Sequence, residues 1–155
     1  MKIRKLRLSD LDDVLLIEKA VQFSPWSRTT FEESLTRYHC RGISNIHNVI
    51  VAYVIASIIH VESEVLTLAV APEYQRRGLG KMLLMHMIKI CRRCDVPEVV
   101  LEVRASNSAA RQLYHHLGFQ YNGCRKAYYP SIDGREDAVN MSLQLSTSSN
   151  VQEYL

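Results

Sequence analysis

Gln75-Arg76-Arg77-Gly78-Leu79-Gly80-Lys81 carries the reading of the whole chain. It follows the apolar Leu68-Ala69-Val70 and Pro72, and it precedes a stretch where Leu83, Leu84, Met87 and Cys91 recur at helical spacing, with His86, Lys89 and Arg93 on the opposite, wet face. The heptapeptide therefore stands between a strand end and a helix start. Glycines there let the backbone approach a ligand, and the N–H groups of a helix start attract a phosphate or pyrophosphate, aided by the helix dipole. Arg76, Arg77 and Lys81 add positive charge at the same place.

Two familiar phosphate loops compete for this segment. A P-loop needs glycine where Gln75 stands and Ser or Thr where Met82 stands, so it fails twice. A dinucleotide fingerprint comes closer, because Glu102 follows Gly78 by about two dozen residues, near the spacing of a ribose-binding carboxylate. Leu83 replaces its third glycine, however, and about seven residues separate Val70 from Gly78 where that turn is tight.

Working outward, Ile3, Leu6 and Leu8 mark a first strand, and Ser9 is placed to cap a helix with Leu11, Val14, Leu15 and Ile17 on its apolar face. Pro25-Trp26-Ser27 breaks that helix, and a second is predicted over 28–38. Residues 40–48 read as a strand and a turn. The Val- and Ile-rich run 49–59 and the run 65–70 predict a strand pair, and 99–103 predicts another strand. Asn107 or Ser108 caps a helix carrying Ala110, Leu113, Tyr114 and Leu117, which Gly118 stops. Residues 119–128 and 138–145 predict a final strand pair joined by a loop over 130–137, and the polar residues 146–155 predict a flexible tail.

The 155 residues, 47% apolar and 23% charged, have the balance of one soluble globular domain and exclude a disordered or fibrous chain. Nineteen Lys and Arg against sixteen Asp and Glu leave +3, too little for nucleic-acid binding by bulk charge but compatible with a local basic patch. Cys91 and Cys94 form half of a metal motif with no second close pair, so no metal is expected and the four cysteines read as free thiols of a reducing cytoplasm. His115 and His116 point about 100° apart on a helix and read as exposed polar filler. The start of the chain lacks a signal peptide's apolar stretch, and the longest apolar run is too short to span a membrane.

Three polar groups remain as candidates. Alternation puts Glu102 with Arg104 on one face of a strand, where Glu102 either points into a cleft or pairs with Arg104 at a surface. Tyr114 lies on the buried stripe of its helix, as an ordinary core tyrosine does. Tyr128 and Tyr129, with the acidic Asp133, Glu136 and Asp137, read as a solvated hairpin tip.

The Gln75 to Lys81 loop, Leu68-Ala69-Val70 before it, Asn107, and Leu113-Tyr114-His115-His116-Leu117-Gly118-Phe119 together resemble the GNAT family of N-acetyltransferases over nearly the whole chain. Leu101-Glu102-Val103-Arg104-Ala105-Ser106-Asn107, Tyr128-Tyr129-Pro130, the Asp133 to Ala138 segment and Pro25-Trp26-Ser27 resemble its bacterial RimI type, which acetylates the N-terminal alanine of a small-subunit ribosomal protein. The resemblance implies a single α/β (α+β) domain over 2–145, with a mixed, mostly antiparallel sheet that splays to admit acetyl-CoA. It implies that the backbone of Leu68, Ala69 and Val70 pairs with the pantetheine arm, and that Arg76, Arg77, Gly78, Leu79, Gly80 and Lys81 hold the pyrophosphate. It implies that Asn107 helps hold the thioester end, a role compatible with capping. Glu102 becomes the general base, direct or through water, and Tyr114 the acid that protonates the departing thiolate. Trp26, Tyr128, Tyr129, Asp133, Glu136 and Asp137 become the rim that orders a protein's N-terminal segment.

A terminal amine suits one carboxylate base. At pH 7 an α-ammonium of pKa about 7.7–8.0 loses its proton for about 1–1.4 kcal/mol, whereas a lysine near 10.4 needs roughly 4.6 kcal/mol. An acetyltransferase for a lysine or small amine, and a non-catalytic acetyl-CoA-binding protein, stand as alternatives. No cysteine falls in a matched motif, so transfer is expected to be direct, in the cytoplasm, without nucleic acid or membrane.

Overall fold

The computed structural model describes residues 1–145; the expected tail lies outside them. Seven strands, β1 (Lys2–Lys5), β2 (His39–Ser44), β3 (Ile50–Ile58), β4 (Ser63–Val70), β5 (Glu98–Arg104), β6 (Gln120–Ser131) and β7 (Gly134–Gln144), form one sheet in the order β1-β2-β3-β4-β5-β7-β6. Helices α1 (Leu11–Val21), α2 (Arg28–Arg37), α3 (Leu79–Arg93) and α4 (Ser108–His116) complete a mixed α/β fold. β1 with β2, β2 with β3, β5 with β7 and β6 with β7 pair antiparallel. β4 and β5 pair in parallel, Ser63 opposite Val99 through Val65 opposite Leu101, and each strand continues beyond that ladder.

The chain divides into two compact units, Met1–Ser57 with Leu66–Met87, and Ile58–Val65 with the residues from Ile88 onward. In the first, Leu11, Val14 and Ile17 of α1, Phe31 of α2 and Ile50, Tyr53 and Ile55 of β3 form a core, where each large side chain contributes about 1.5–3 kcal/mol by leaving water. Phe31 meets Tyr53 edge-on at 5.7 Å. Gly42 lets β2 come close here, since a Cβ on it would lie 2.6 Å from Leu6 Cδ2. Glu18 is buried in this core, accepting from the Tyr53 hydroxyl and the Trp26 amide, and its burial pushes the carboxyl above its ordinary range. That network ties the α1–α2 link to the sheet.

Several local expectations shift. The first strand ends at Lys5, and Leu8 is exposed at the start of a 3-10 turn, Leu8–Asp10. Asp10, rather than Ser9, organises that corner: it accepts from Arg4 at 2.7 and 2.8 Å and from the Arg7 amide at 2.7 Å. Ser27 caps α2 by accepting from the Thr30 amide, and Asn107 caps α4 by accepting from Ala110. His86 is half-buried rather than wet, because α3 buries Leu83, Leu84, Met87, Ile88 and Cys91 across a wide face. The expected loop over 130–137 is mostly strand, so Glu136 and Asp137 lie on β7 and only Ile132 and Asp133 separate the two strands. Cross-strand pairing overrides the polar, Pro130-containing sequence there.

Candidate active site

In the first unit, β4 delivers Leu68, Ala69 and Val70 straight into Ala71, whose amide donates to Val51 at 2.8 Å, and then into a 3-10 turn, Pro72–Tyr74. The loop that follows is tied down by its own side chains. Gln75 donates to the Val70 carbonyl at 3.1 Å, and Arg77 donates to the Glu73 carbonyl at 3.1 Å while stacking over Tyr74 at 5.1 Å. Arg76 and Gly78 both take left-handed backbone, with φ of +63° and +80°. Nothing lies within 4 Å of where a Gly78 Cβ would be, so the backbone is open there, and α3 begins at the next residue. Arg76, Arg77 and Lys81 are exposed around this turn, whereas Leu79 is buried and anchors the helix. Open backbone, a helix start and three cations fit a pyrophosphate.

Trp26 lies in the same unit. It is half-buried, 5.4 Å from the Phe31 ring, and lines an open cavity of about 260 Å³ with Thr30, Glu33, Arg37, Tyr38 and Leu66 among its walls.

The second unit holds the other candidates. The burial of β5 alternates, with Leu101 and Val103 inside and Glu102 and Arg104 half-buried on the opposite face. Glu102 has a cationic partner on another strand. It pairs with Arg125 of β6, Nε to Oε1 at 2.9 Å. Arg104 donates to Glu136 at 2.9 Å and the Pro130 carbonyl at 2.6 Å, and lies 4.6 Å from the centre of the Tyr129 ring. Arg125 in turn covers Tyr128 at 4.9 Å, and the rings of Tyr128 and Tyr129 meet edge-on at 5.0 Å. Burial, then the negative charge of Glu102, raises the Tyr129 phenol above its ordinary value.

Tyr114 is buried on α4, 5.9 Å from the Phe119 ring. Burial, with the Tyr129 phenol as the second cause, pushes its hydroxyl up to about 12. It therefore keeps its proton at neutral pH, the state required of an acid.

Two acidic candidates at the hairpin are already matched within the protein. Glu136 accepts from Arg104 and from the Ser106 amide, which hold its carboxyl below the usual range. Asp137 accepts from the Ala127 amide at 2.9 Å and from Lys126 at 3.2 Å, with the same result. Asp133 is exposed at the turn.

Sequence reasoning passed over Arg125 and Glu64. Both reach Glu102 through pairing: Glu64 lies opposite Val100 on the parallel strand, and burial followed by the charge of Glu102 raises its carboxyl. No local spacing signals either contact. Among the described residues no cluster of three metal-ligating side chains occurs, the four cysteines are free, and no helix is long and apolar enough to cross a membrane.

Comparison with known proteins gives this arrangement a lineage. Residues 8–119 match the Acetyltransferase (GNAT) family. The chain is 38% identical over 144 residues to the ribosomal protein bS18-alanine N-acetyltransferase of Escherichia coli K12, covering 93% of this chain and 97% of that protein. The crystal structure of the E. coli ribosomal-protein-S18-alanine N-acetyltransferase superposes with a TM-score of 0.88 over 95% of both chains, at 38% identity. A phosphinothricin acetyltransferase from Sinorhizobium meliloti, solved with AcCoA, shares the fold at TM-score 0.81 and 18% identity over 96% of this chain and 90% of that one. With residues 8–119, the Gln75 to Lys81 turn among them, matched to that family and 38% identity over 93% of its length, the chain belongs to the GNAT acetyltransferase family.

Proposed function

We propose that this protein transfers the acetyl group of acetyl-CoA to the N-terminal α-amine of a protein, the alanine of a small-subunit ribosomal protein of the bS18 kind, in the cytoplasm. The observation that carries the reading is the 38% identity over 93% of the chain to an enzyme named for that reaction. Retention of both Glu102 and Tyr114 supports a working enzyme over a non-catalytic binding protein.

Acetyl-CoA supplies an activated acetyl thioester. The backbone of Leu68, Ala69 and Val70 pairs with its pantetheine arm, Arg76 to Lys81 hold its pyrophosphate, and Asn107 adds a contact near the thioester while capping α4. Glu102 takes a proton from the substrate ammonium, freeing the nitrogen lone pair to form the new N–C bond as the C–S bond breaks. Tyr114 gives its proton to the departing sulfur; the second proton that the nitrogen loses as the amide forms restores the Tyr114 phenol, and Glu102 releases its own to solvent. Trp26, Tyr128 and Tyr129 line the substrate's path. Asp133 is the exposed acid of the rim, whereas Glu136 and Asp137 act by holding the hairpin that carries the tyrosines.

Mass spectrometry of peptides with a free N-terminal alanine and an internal lysine, after incubation with acetyl-CoA, tests the reading. Label is expected on the α-amine. Label confined to lysine would replace it with the side-chain alternative, and no label on any amine would leave a binding protein.

A further inference from the structure

We propose that Arg125 is a resident stand-in for the substrate's ammonium, neutralising Glu102 until a cationic amine displaces it, and that this exchange favours cationic over neutral nucleophiles. The inference rests on the reading of Glu102 as the base.

Glu102 sits in an anionic neighbourhood. Glu64 of β4 feels its charge, and Glu62 adds to the field at Glu64. Arg104, the cation adjacent on the same face, donates to Glu136 and the Pro130 carbonyl and lies against the Tyr129 ring. Arg125 reaches Glu102 at 2.9 Å, and its own side chain stays open to solvent, 60% exposed against 16% for Glu102. Solvent access on the Arg125 side screens the pair and eases its exchange. The Tyr128 ring, 4.9 Å from the guanidinium, offers Arg125 a surface that does not depend on Glu102.

The backbone next to this side chain is irregular. The pairing of β6 with β7 shifts register between Arg125 and Tyr129, and within the shift Ala127 adopts φ of +49° while its amide is held by Asp137. A bulge re-aims the side chains beside it. An ammonium entering the site replaces the guanidinium charge for charge, whereas a hydroxyl or amide would leave the carboxylate without its cation.

The test compares Arg125→Gln, Arg125→Lys and Glu102→Gln in steady-state kinetics with an N-terminal alanine peptide. Removing the competitor in Arg125→Gln is expected to lower the peptide KM by roughly two- to fivefold, with the change falling on KM rather than kcat, and Arg125→Lys is expected to restore the higher KM. A KM that rises or does not move, or a loss confined to kcat, overturns the stand-in. In the wild-type protein, the Arg125 Nε–H signal in a nitrogen-15 NMR spectrum is expected to move on adding peptide, and a signal that stays in place also overturns it. Unchanged turnover in Glu102→Gln would instead remove the base itself, so the two failures are distinct.

Discussion

The Asp137 carboxylate accepts the amide of Ala127 at 2.9 Å, and Ala127 is a non-glycine residue in left-handed backbone, with φ of +49°. Such a conformation costs an L-residue about 1–2 kcal/mol and persists only where neighbours hold it. Asp137→Ala is therefore expected to release the bulge and speed hydrogen exchange at the Ala127 amide severalfold without weakening acetyl-CoA binding. Asp137→Asn, which keeps an acceptor, is expected to do less. Equal exchange rates in all three proteins would contradict this coupling.

Glu102→Gln is expected to lower kcat roughly a hundredfold, at the low end for a general base because the amine is already close to losing its proton. Tyr114→Phe is expected to slow transfer with little loss of fold. Because burial raises the Tyr114 phenol to about 12, its protonated form is favoured by folding, and that stability is lost as pH rises from the ordinary tyrosine value through about 12. Thermal unfolding of Tyr114→Phe above pH 10 should be less sensitive to alkali than that of wild type.

Arg76 and Lys81 are exposed, whereas Arg77 folds back onto Glu73 and Tyr74. Arg76→Ala and Lys81→Ala are expected to weaken acetyl-CoA binding by about tenfold each, with a reduced dependence on salt. Arg77→Ala is expected to lower the melting temperature of the free protein as well. Calorimetric affinities equal to wild type would remove the pyrophosphate assignment.

Asp10 offers an acid-side test far from the chemistry. Its hydrogen bonds from Arg4 hold its carboxyl below the usual range. The unfolded chain then binds this proton more readily, so the stabilisation is present above about pH 4 and is lost as pH falls through the lower, folded value. Asp10→Ala is expected to cost about 2 kcal/mol at pH 7 and to flatten the acid limb of a denaturation series.

The order of elements was legible because it is written in local periodicity: Leu83, Leu84 and Met87 announce α3, and Asn107 announces the start of α4 through the amide it caps. The turn at Gly78 was legible for the same reason. What escaped was set by partners distant in the chain. Asp10 displaces Ser9 because Arg4 reaches it, the ends of β6 and β7 are strand because they pair, and Arg125 meets Glu102 across β7, which lies between their strands. For Glu102 the face was readable from alternation, but its cation was not.

The loop from Val70 to Gly78 is held by bonds of its own, from the Gln75 and Arg77 side chains, and contains two left-handed residues. The entropy of ordering it is thus spent during folding, leaving little to subtract from affinity when acetyl-CoA arrives. One consequence is that a side chain at Gly78, strained at φ +80°, would injure folding and binding at once. At that position, selection for a tighter grip on the cofactor and selection for a sturdier protein act on the same bond rotation.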